Sequence, residues 1–172
     1  MDNYEMIITR RSIRKYKDAR LDDALLKKLI RAGCYAPSAM KKLPWRFVII
    51  DDRKILDGLT EIHPGSQMLK GAHQAVLVCG DSDAAHTWEY MMLDLSACTQ
   101  NILLAAHAEG IGGCWIGIYH REERMDYLRK ACSLPENIIP FALISLGYPD
   151  EKKEAPERFD ESLIHYNRWM IP

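Results

Sequence analysis

The sequence predicts a single domain in which helices and strands are mixed without a strict strand–helix–strand repeat. Three observations predict it. A chain of 172 residues suits one domain with one ordinary core, and no repeat, low-complexity tract or linker divides it. Short apolar runs bounded by glycine or aspartate read as strands. Around them, apolar residues recur at helical spacing.

A short helical lead ends near Arg10. "DDALLKKLIRAGCYAP" then places Leu25, Leu26, Leu29, Ile30 and Gly33 on one helical face, with Asp22 or Asp23 as cap and Pro37 as the stop. "APSAMKKLP" is a loop. "WRFVII" is a strand stopped by Asp51 and Asp52, and a polar helix around "RKILDGLTEI" follows. "AVLVCG", at 75–80, is a continuous apolar run cut short by glycine, which fits a strand buried on both faces. "WEYMMLDLSACTQNILLAAHAEG" is the longest helical pattern. It closes on Gly110 and is apolar on more than one face, so it calls for cover from its own sheet and from something else, such as a second subunit. "GGCWIGI" reads as a strand, "REERMDYLRKAC" as a surface helix and "IIPFALISLG" as a strand. The charged tail from 150 to 172 carries Phe159, Leu163, Ile164, Tyr166 and Trp169, too many large apolar groups to stay in water, and is expected to dock.

Composition narrows the function. With 23 basic and 24 acidic side chains, the chain carries no general charge for nucleic acid or an anionic membrane. The start "MDNYEMIITRR" has acids where a signal peptide needs a basic region, and no apolar stretch reaches a membrane span, so a cytoplasmic location is expected. The five cysteines lie far apart and suggest neither a disulfide framework nor a zinc site. Cys34, Cys79, Cys98 and Cys132 are expected to be buried, with Cys114 less clearly so. The six histidines show no metal-ligand spacing, and no hydrolase or P-loop motif is present. "GIGGCWIG" is not a dinucleotide fingerprint, because Trp115 replaces the last glycine and the glycines follow a helix.

What remains is a local basic cluster, "RRSIRK". Extended backbone would put Arg10, Ser12 and Arg14 on one side and Arg11 on the other. Guanidinium forks and a hydroxyl suit phosphate oxygens, while a solvated basic face is the plain alternative.

"RRSIRKY", "APSAMKKLPWRFVII", "AEGIGGCWIG" and "GYPDEKKEAPERFDESLIHYNRW" occur in an order that resembles the FMN-dependent nitroreductase family over nearly the whole chain. The resemblance implies an α+β fold over residues 1–172, with a central mixed or antiparallel sheet flanked by helices. It implies an intertwined homodimer whose tail, 150–172, is exchanged onto the partner, with both chains contributing to each FMN. Arg10, Ser12 and Arg14 match contacts to the FMN phosphate and ribityl chain, Arg158 a further phosphate-binding arginine, and Arg11 a residue near the pyrimidine edge of the ring. Pro37, Ser38, Ala39 and Met40 match a loop that the partner lays against the flavin, and Trp115, Ile116 and Gly117 a segment along the ring. Lys41 and Leu43 stand where the family often has Asn and Gln.

The activity so implied is hydride transfer from NADH or NADPH to FMN, then reduction of a nitroaromatic, quinone or flavin-type acceptor by a ping-pong mechanism, with no side-chain catalyst and no metal. An FMN carrier or redox sensor, a specialised member that dehalogenates or fragments flavin, and a non-flavin phosphate-binding module are the alternatives. Taken singly, Trp45 and Trp115 suit packing, Ser38 a turn cap and Arg158 the surface.

Overall fold

The computed structural model describes residues 2–169. Met1 and residues 170–172, the end of the expected exchanged tail, lie outside the described residues. Helix α1 (Asn3–Thr9) opens on a reciprocal cap, in which the Asp2 carboxylate accepts from the Glu5 amide and the Glu5 side chain returns to the Asp2 amide. Helix α2 (Asp23–Gly33) starts at Asp22, whose carboxylate accepts from the Leu25 amide. It ends at Gly33, earlier than the expected stop at Pro37. The Tyr35 and Ala36 amides bond back to Ala32 and Gly33, tightening the chain before the proline.

Strand β1 (Trp45–Ile50), helix α3 (Arg53–Ile62), strand β2 (Gln74–Asp81), helix α4 (Trp88–Ala108), strand β3 (Gly112–Gly117), helix α5 (Glu122–Ala131) and strand β4 (Ile138–Gly147) follow. Besides short 3-10 turns at Ala39–Lys41 and Glu161–Leu163, a longer 3-10 segment at Pro64–Lys70 has no counterpart in the sequence reading. Its start is set by Pro64 and by His63, whose Nδ1 accepts from the Gly65 amide, and it is too short to show a helical period.

The four strands form one antiparallel sheet in the order β1-β2-β4-β3. β2 and β4 are central and almost wholly buried, as their unbroken apolar runs require. Pro140 sits in central β4 because the β2–β4 register shifts between Val78 and Cys79, and this irregularity relieves the ladder of a donor that proline lacks. Side chains alternate across the sheet. Val76, Val78, Ala142 and Ile144 face the layer built by α2 and α4, while Ala75, Leu77, Cys79, Leu143 and Ile116 face the layer built by α3, α5 and the 3-10 segment.

Burial of the cysteines differs from expectation. Cys79, Cys98 and Cys114 are buried, Cys132 is half-buried and Cys34 is exposed. Cys34 is the residue just beyond α2 and faces outward, although neighbouring Gly33 is buried. Cys114 sits on the inward face of β3.

α4 packs its Met91, Leu95, Cys98, Ile102 and Ala106 side against the sheet and α2, while Tyr90 and Leu93 stay exposed. Gly33 permits the close crossing of α2 and α4, since a Cβ there would stand 2.7 Å from Ile102 Cγ1 and 3.0 Å from Cys98 Sγ. Gly33→Val should therefore overpack this crossing and destabilise the fold by about 1–3 kcal/mol, read as a lower urea midpoint at unchanged slope.

Candidate functional site

The basic cluster leaves α1 at Arg10 and runs along the outer edge of β3 as irregular extended chain. Ser12 forms a parallel bridge with Gly113, and the Ile13 amide donates to the Gly113 carbonyl at 3.1 Å. A few residues on, the chain pairs with the start of the tail. Tyr16 bridges Pro149, Lys17 N–H donates to Tyr148 at 2.9 Å, and Asp150 N–H donates to Lys15 at 2.9 Å. The Glu151 carboxylate accepts from the Arg14 and Lys15 amides, and Lys153 Nζ donates to the Ser12 carbonyl at 2.8 Å and lies 3.2 Å from Glu151. The Tyr16 hydroxyl donates to the Ile13 carbonyl and pairs with Ser145 Oγ at 2.7 Å, and burial pushes its pKa up. The two chain ends thus hold one another against an edge strand.

This geometry divides the arginines differently from a regular alternation. Arg10 and Arg11 line one hollow of about 490 Å³ with Ile13, Leu103, His107 and Gly113. The same pair and Arg158 line a second, of about 380 Å³, against Tyr4, Ile7 and Phe159. Arg14 lines a third, of about 480 Å³, with Lys15, Gln67, Met68, Glu151 and Lys153. Alternation fails because the segment leaves a helix at Arg10 and touches β3 through an isolated bridge, not a continuous ladder. The volumes fall within the roughly 300–1,000 Å³ of small-molecule sites.

Among the described residues no carboxylate lies within 4.0 Å of the Arg10, Arg11, Arg14 or Arg158 guanidinium. Burial, followed by the charges of Arg11 and Arg158, lowers the pKa of Arg10. Arg11 donates from Nε to the Glu154 carbonyl at 2.8 Å and from Nη1 to the Arg10 carbonyl at 3.2 Å, while its buried Nη2 has no hydrogen-bond partner. A like-charged group with an unspent buried donor is completed by an anion. FMN carries one: its phosphate suits Arg10, Arg11 and Arg158 chemically.

The other candidates lie elsewhere on the chain. None of Pro37, Ser38, Ala39, Met40, Trp115, Ile116 or Gly117 lines these three hollows. The loop after Pro37 is tied to α4, where buried Asp94 accepts from Ser38 Oγ at 3.0 Å and from the Ala39 amide at 3.1 Å. Beyond it, Met40, Lys41 and Leu43 adopt left-handed φ of 51°, 54° and 49°. Each such non-glycine residue costs on the order of 1 kcal/mol or more and persists only where its surroundings hold it. Trp115 is partly exposed on β3 and meets Phe141 edge-on at 5.9 Å, Ile116 is buried, and the Gly117 carbonyl accepts from Arg124.

A profile of the nitroreductase family matches residues 7–77 and 63–148, together spanning the arginine segment, the loop and β3. A protein of Archaeoglobus fulgidus with the provisional name NADH dehydrogenase/NAD(P)H nitroreductase is 43% identical over 169 residues, covering 96% of this chain and 97% of its own. The chain belongs to the nitroreductase family. The fold agrees: a crystal structure from Parabacteroides distasonis, under the same provisional name, superposes with a TM-score of 0.92 at 41% identity, covering 96% of this chain and 98% of the other. A provisionally named nitroreductase of Desulfovibrio desulfuricans, solved in complex with FMN, superposes at 0.84 with 29% identity, covering 98% and 99% of the two chains.

Within this nitroreductase fold, several site residues carried no sequence signal of their own. Glu151 and Lys153 fall in the charged tail, and Asp94 and His107 fall within the long helical pattern, without belonging to any motif for chemistry. Gln67 and Met68 belong to none of the quoted motifs. Only the folded chain brings Gln67 and Met68 beside Arg14, and Glu151 and Lys153 onto the basic segment.

The Glu151 carboxyl is drawn below its ordinary 4.5, first by the Arg14 amide, with Lys153 and the Lys15 amide adding to the effect. A depressed carboxyl contributes attachment that is complete above the ordinary value and is lost as pH falls through the lower folded one. Hydrogen-exchange protection of the Arg14 and Lys15 amides should therefore hold from neutral pH to about 4.5 and drop only below it. Glu151→Gln should start roughly tenfold less protected at neutral pH and show no acid step.

Proposed function

We propose that the chain is an FMN-dependent oxidoreductase that takes a hydride from NADH or NADPH and reduces a second small acceptor, a nitroaromatic, quinone or flavin, at the same site in turn. The observation that carries this reading is the convergence of Arg10, Arg11 and Arg158 with no carboxylate paired to them among the described residues, one of them with an orphaned buried donor, in a chain of this family. When bound, FMN supplies the hydride and electron chemistry, which no side chain here supplies.

The chain's residues position and charge the site. Arg10 and Arg158 are assigned to the phosphate, with the free Arg11 donor adding a further bond, while Ser12 anchors the segment through its bridge to Gly113 of β3. Because Arg11 is turned to the tail, exposed Arg14 is the guanidinium left to place a positive charge elsewhere on the cofactor, near Gln67. Gly117 and the main chain of Trp115 and Ile116 would provide the edge along which a flat ring would lie.

A homodimer completes the reading. Tyr90 and Leu93 of α4 are exposed, as are Phe159, Leu163, Ile164, Tyr166 and Trp169 of the tail. A partner chain would bury them, contributing roughly 1.5–3 kcal/mol per large side chain before ordering costs. Pro37–Met40, remote from the arginines of their own chain, would then serve the partner's flavin. No described helix is long and apolar enough to cross a membrane, and the free thiols suit the reducing cytoplasm.

Arg10→Ala and Arg158→Ala should each weaken FMN by about 1.5–3 kcal/mol, roughly ten- to hundredfold, while barely changing riboflavin, measured by flavin fluorescence titration. Equal weakening of both ligands would refute the phosphate assignment.

Anaerobic mixing of the FMN-loaded protein with NADH or NADPH should bleach the flavin absorbance within a turnover, and an added quinone should restore it. Initial rates should then give parallel double-reciprocal lines, and a yellow protein that never bleaches would be a carrier instead.

A further inference from the structure

The loop from Pro37 to Leu43 holds an unusual conformation for its composition. Met40, Lys41 and Leu43 all have positive φ although none is glycine, and Met40 and Leu43 are exposed at 73% and 49%. Relaxed toward extended backbone, such a loop would lose this strain and could fold its two apolar side chains back. A closed hydrogen-bond circuit opposes that. The Leu43 amide donates to Ser38 Oγ at 2.9 Å, the Ser38 hydroxyl donates to Asp94 Oδ2 at 3.0 Å, and the Ala39 amide donates to both Asp94 oxygens at 3.1 and 3.2 Å.

Asp94 comes from α4, not from the loop, and is only 7% exposed. Among the described residues no lysine, arginine or histidine lies within ion-pairing distance of it. A turn that needed only a cap would be served by a neutral acceptor at smaller desolvation cost. The carboxylate instead makes charge-assisted bonds to two loop donors, and these are stiffer than neutral ones. Strain held in place by a buried, dedicated group and ending in exposed apolar side chains is the arrangement of a ligand clamp.

We propose that Asp94 is the positioning residue of this loop: acting through Ser38 and Ala39, it fixes the face that Met40 and Leu43 present to the isoalloxazine ring bound by the partner subunit. This rests on the flavin reading given above. Asp94 touches neither cofactor nor substrate on this account, and α4, which also carries the exposed Tyr90 and Leu93, becomes the element that sets the loop's height.

The test uses the full chain with Asp94→Asn, Ser38→Ala and the double variant. Ser38→Ala breaks the same circuit from the loop side without altering a buried position of α4. In flavin-free protein, tryptic cleavage after Lys41 or Lys42 should be about tenfold faster in either single variant and no faster in the double, since one circuit is lost in each case. FMN and riboflavin should both weaken by the same factor of about ten, because the loop faces the ring they share, whereas Arg158→Ala affects FMN alone. Unchanged cleavage in both single variants overturns the proposal, as does faster cleavage with unchanged flavin affinity. If Arg158→Ala discriminates between the flavins while Asp94→Asn and Ser38→Ala leave both constants unchanged, the proposal alone fails. A wild-type chain that binds neither flavin overturns the flavin reading and the proposal together.

Discussion

Adjacent guanidinium groups repel one another, and the fold holds them together by backbone attachment, with no carboxylate paired to them among the described residues. Ser12 and Ile13 are fastened to Gly113 on edge strand β3, and residues 15–17 are laddered to residues 148–150 at the start of the tail. Glu151 takes the Arg14 and Lys15 amides, leaving the arginine heads themselves unneutralised. This expenditure of a carboxylate on amides is the constraint from which the rest follows. It leaves the positive charge unneutralised while the main chain that carries it stays anchored.

The sheet supplies the anchor. β2 and β4 are buried on both faces, so their apolar runs determine the centre of the molecule, and β3 becomes an edge with one side free. An edge strand presents unpaired backbone groups that another chain segment is liable to occupy. Here the Ile13 amide takes the Gly113 carbonyl, so the protection of the edge and the placement of the site are the same act. Tyr16 completes the join by reaching Ser145 in β4.

The loop 37–43 is governed by α4. Its core face packs on the sheet and α2, its Asp94 ties down the loop 37–43, and its Tyr90 and Leu93 remain uncovered. A helix with obligations on three sides cannot be read as amphipathic, because apolar residues all round it weaken any single stripe. The residues that hold the loop are therefore distant in sequence from the loop itself. Arg11 shows the same separation, meeting the Glu154 carbonyl 143 residues later.

The sequence by itself determined the strands, the principal helices and the family, because these rest on periodicity, caps and the order of short motifs. β1 matched "WRFVII", Asp22 capped α2, and Gly110 took the left-handed φ of 71° expected beyond α4. It also singled out Arg10, Arg11, Ser12, Arg14 and Arg158 as a group. Only the tertiary structure decided how they divide, with Arg10, Arg11 and Arg158 around shared hollows and Arg14 beside Gln67. Exposure of Cys34, the 3-10 segment at Pro64–Lys70 and the roles of Glu151, Lys153 and Asp94 were likewise decided there. The physical reason is that local pattern reports how a segment buries its own apolar face, whereas a polar side chain acquires its role from whichever distant donor or acceptor the fold brings within hydrogen-bonding reach.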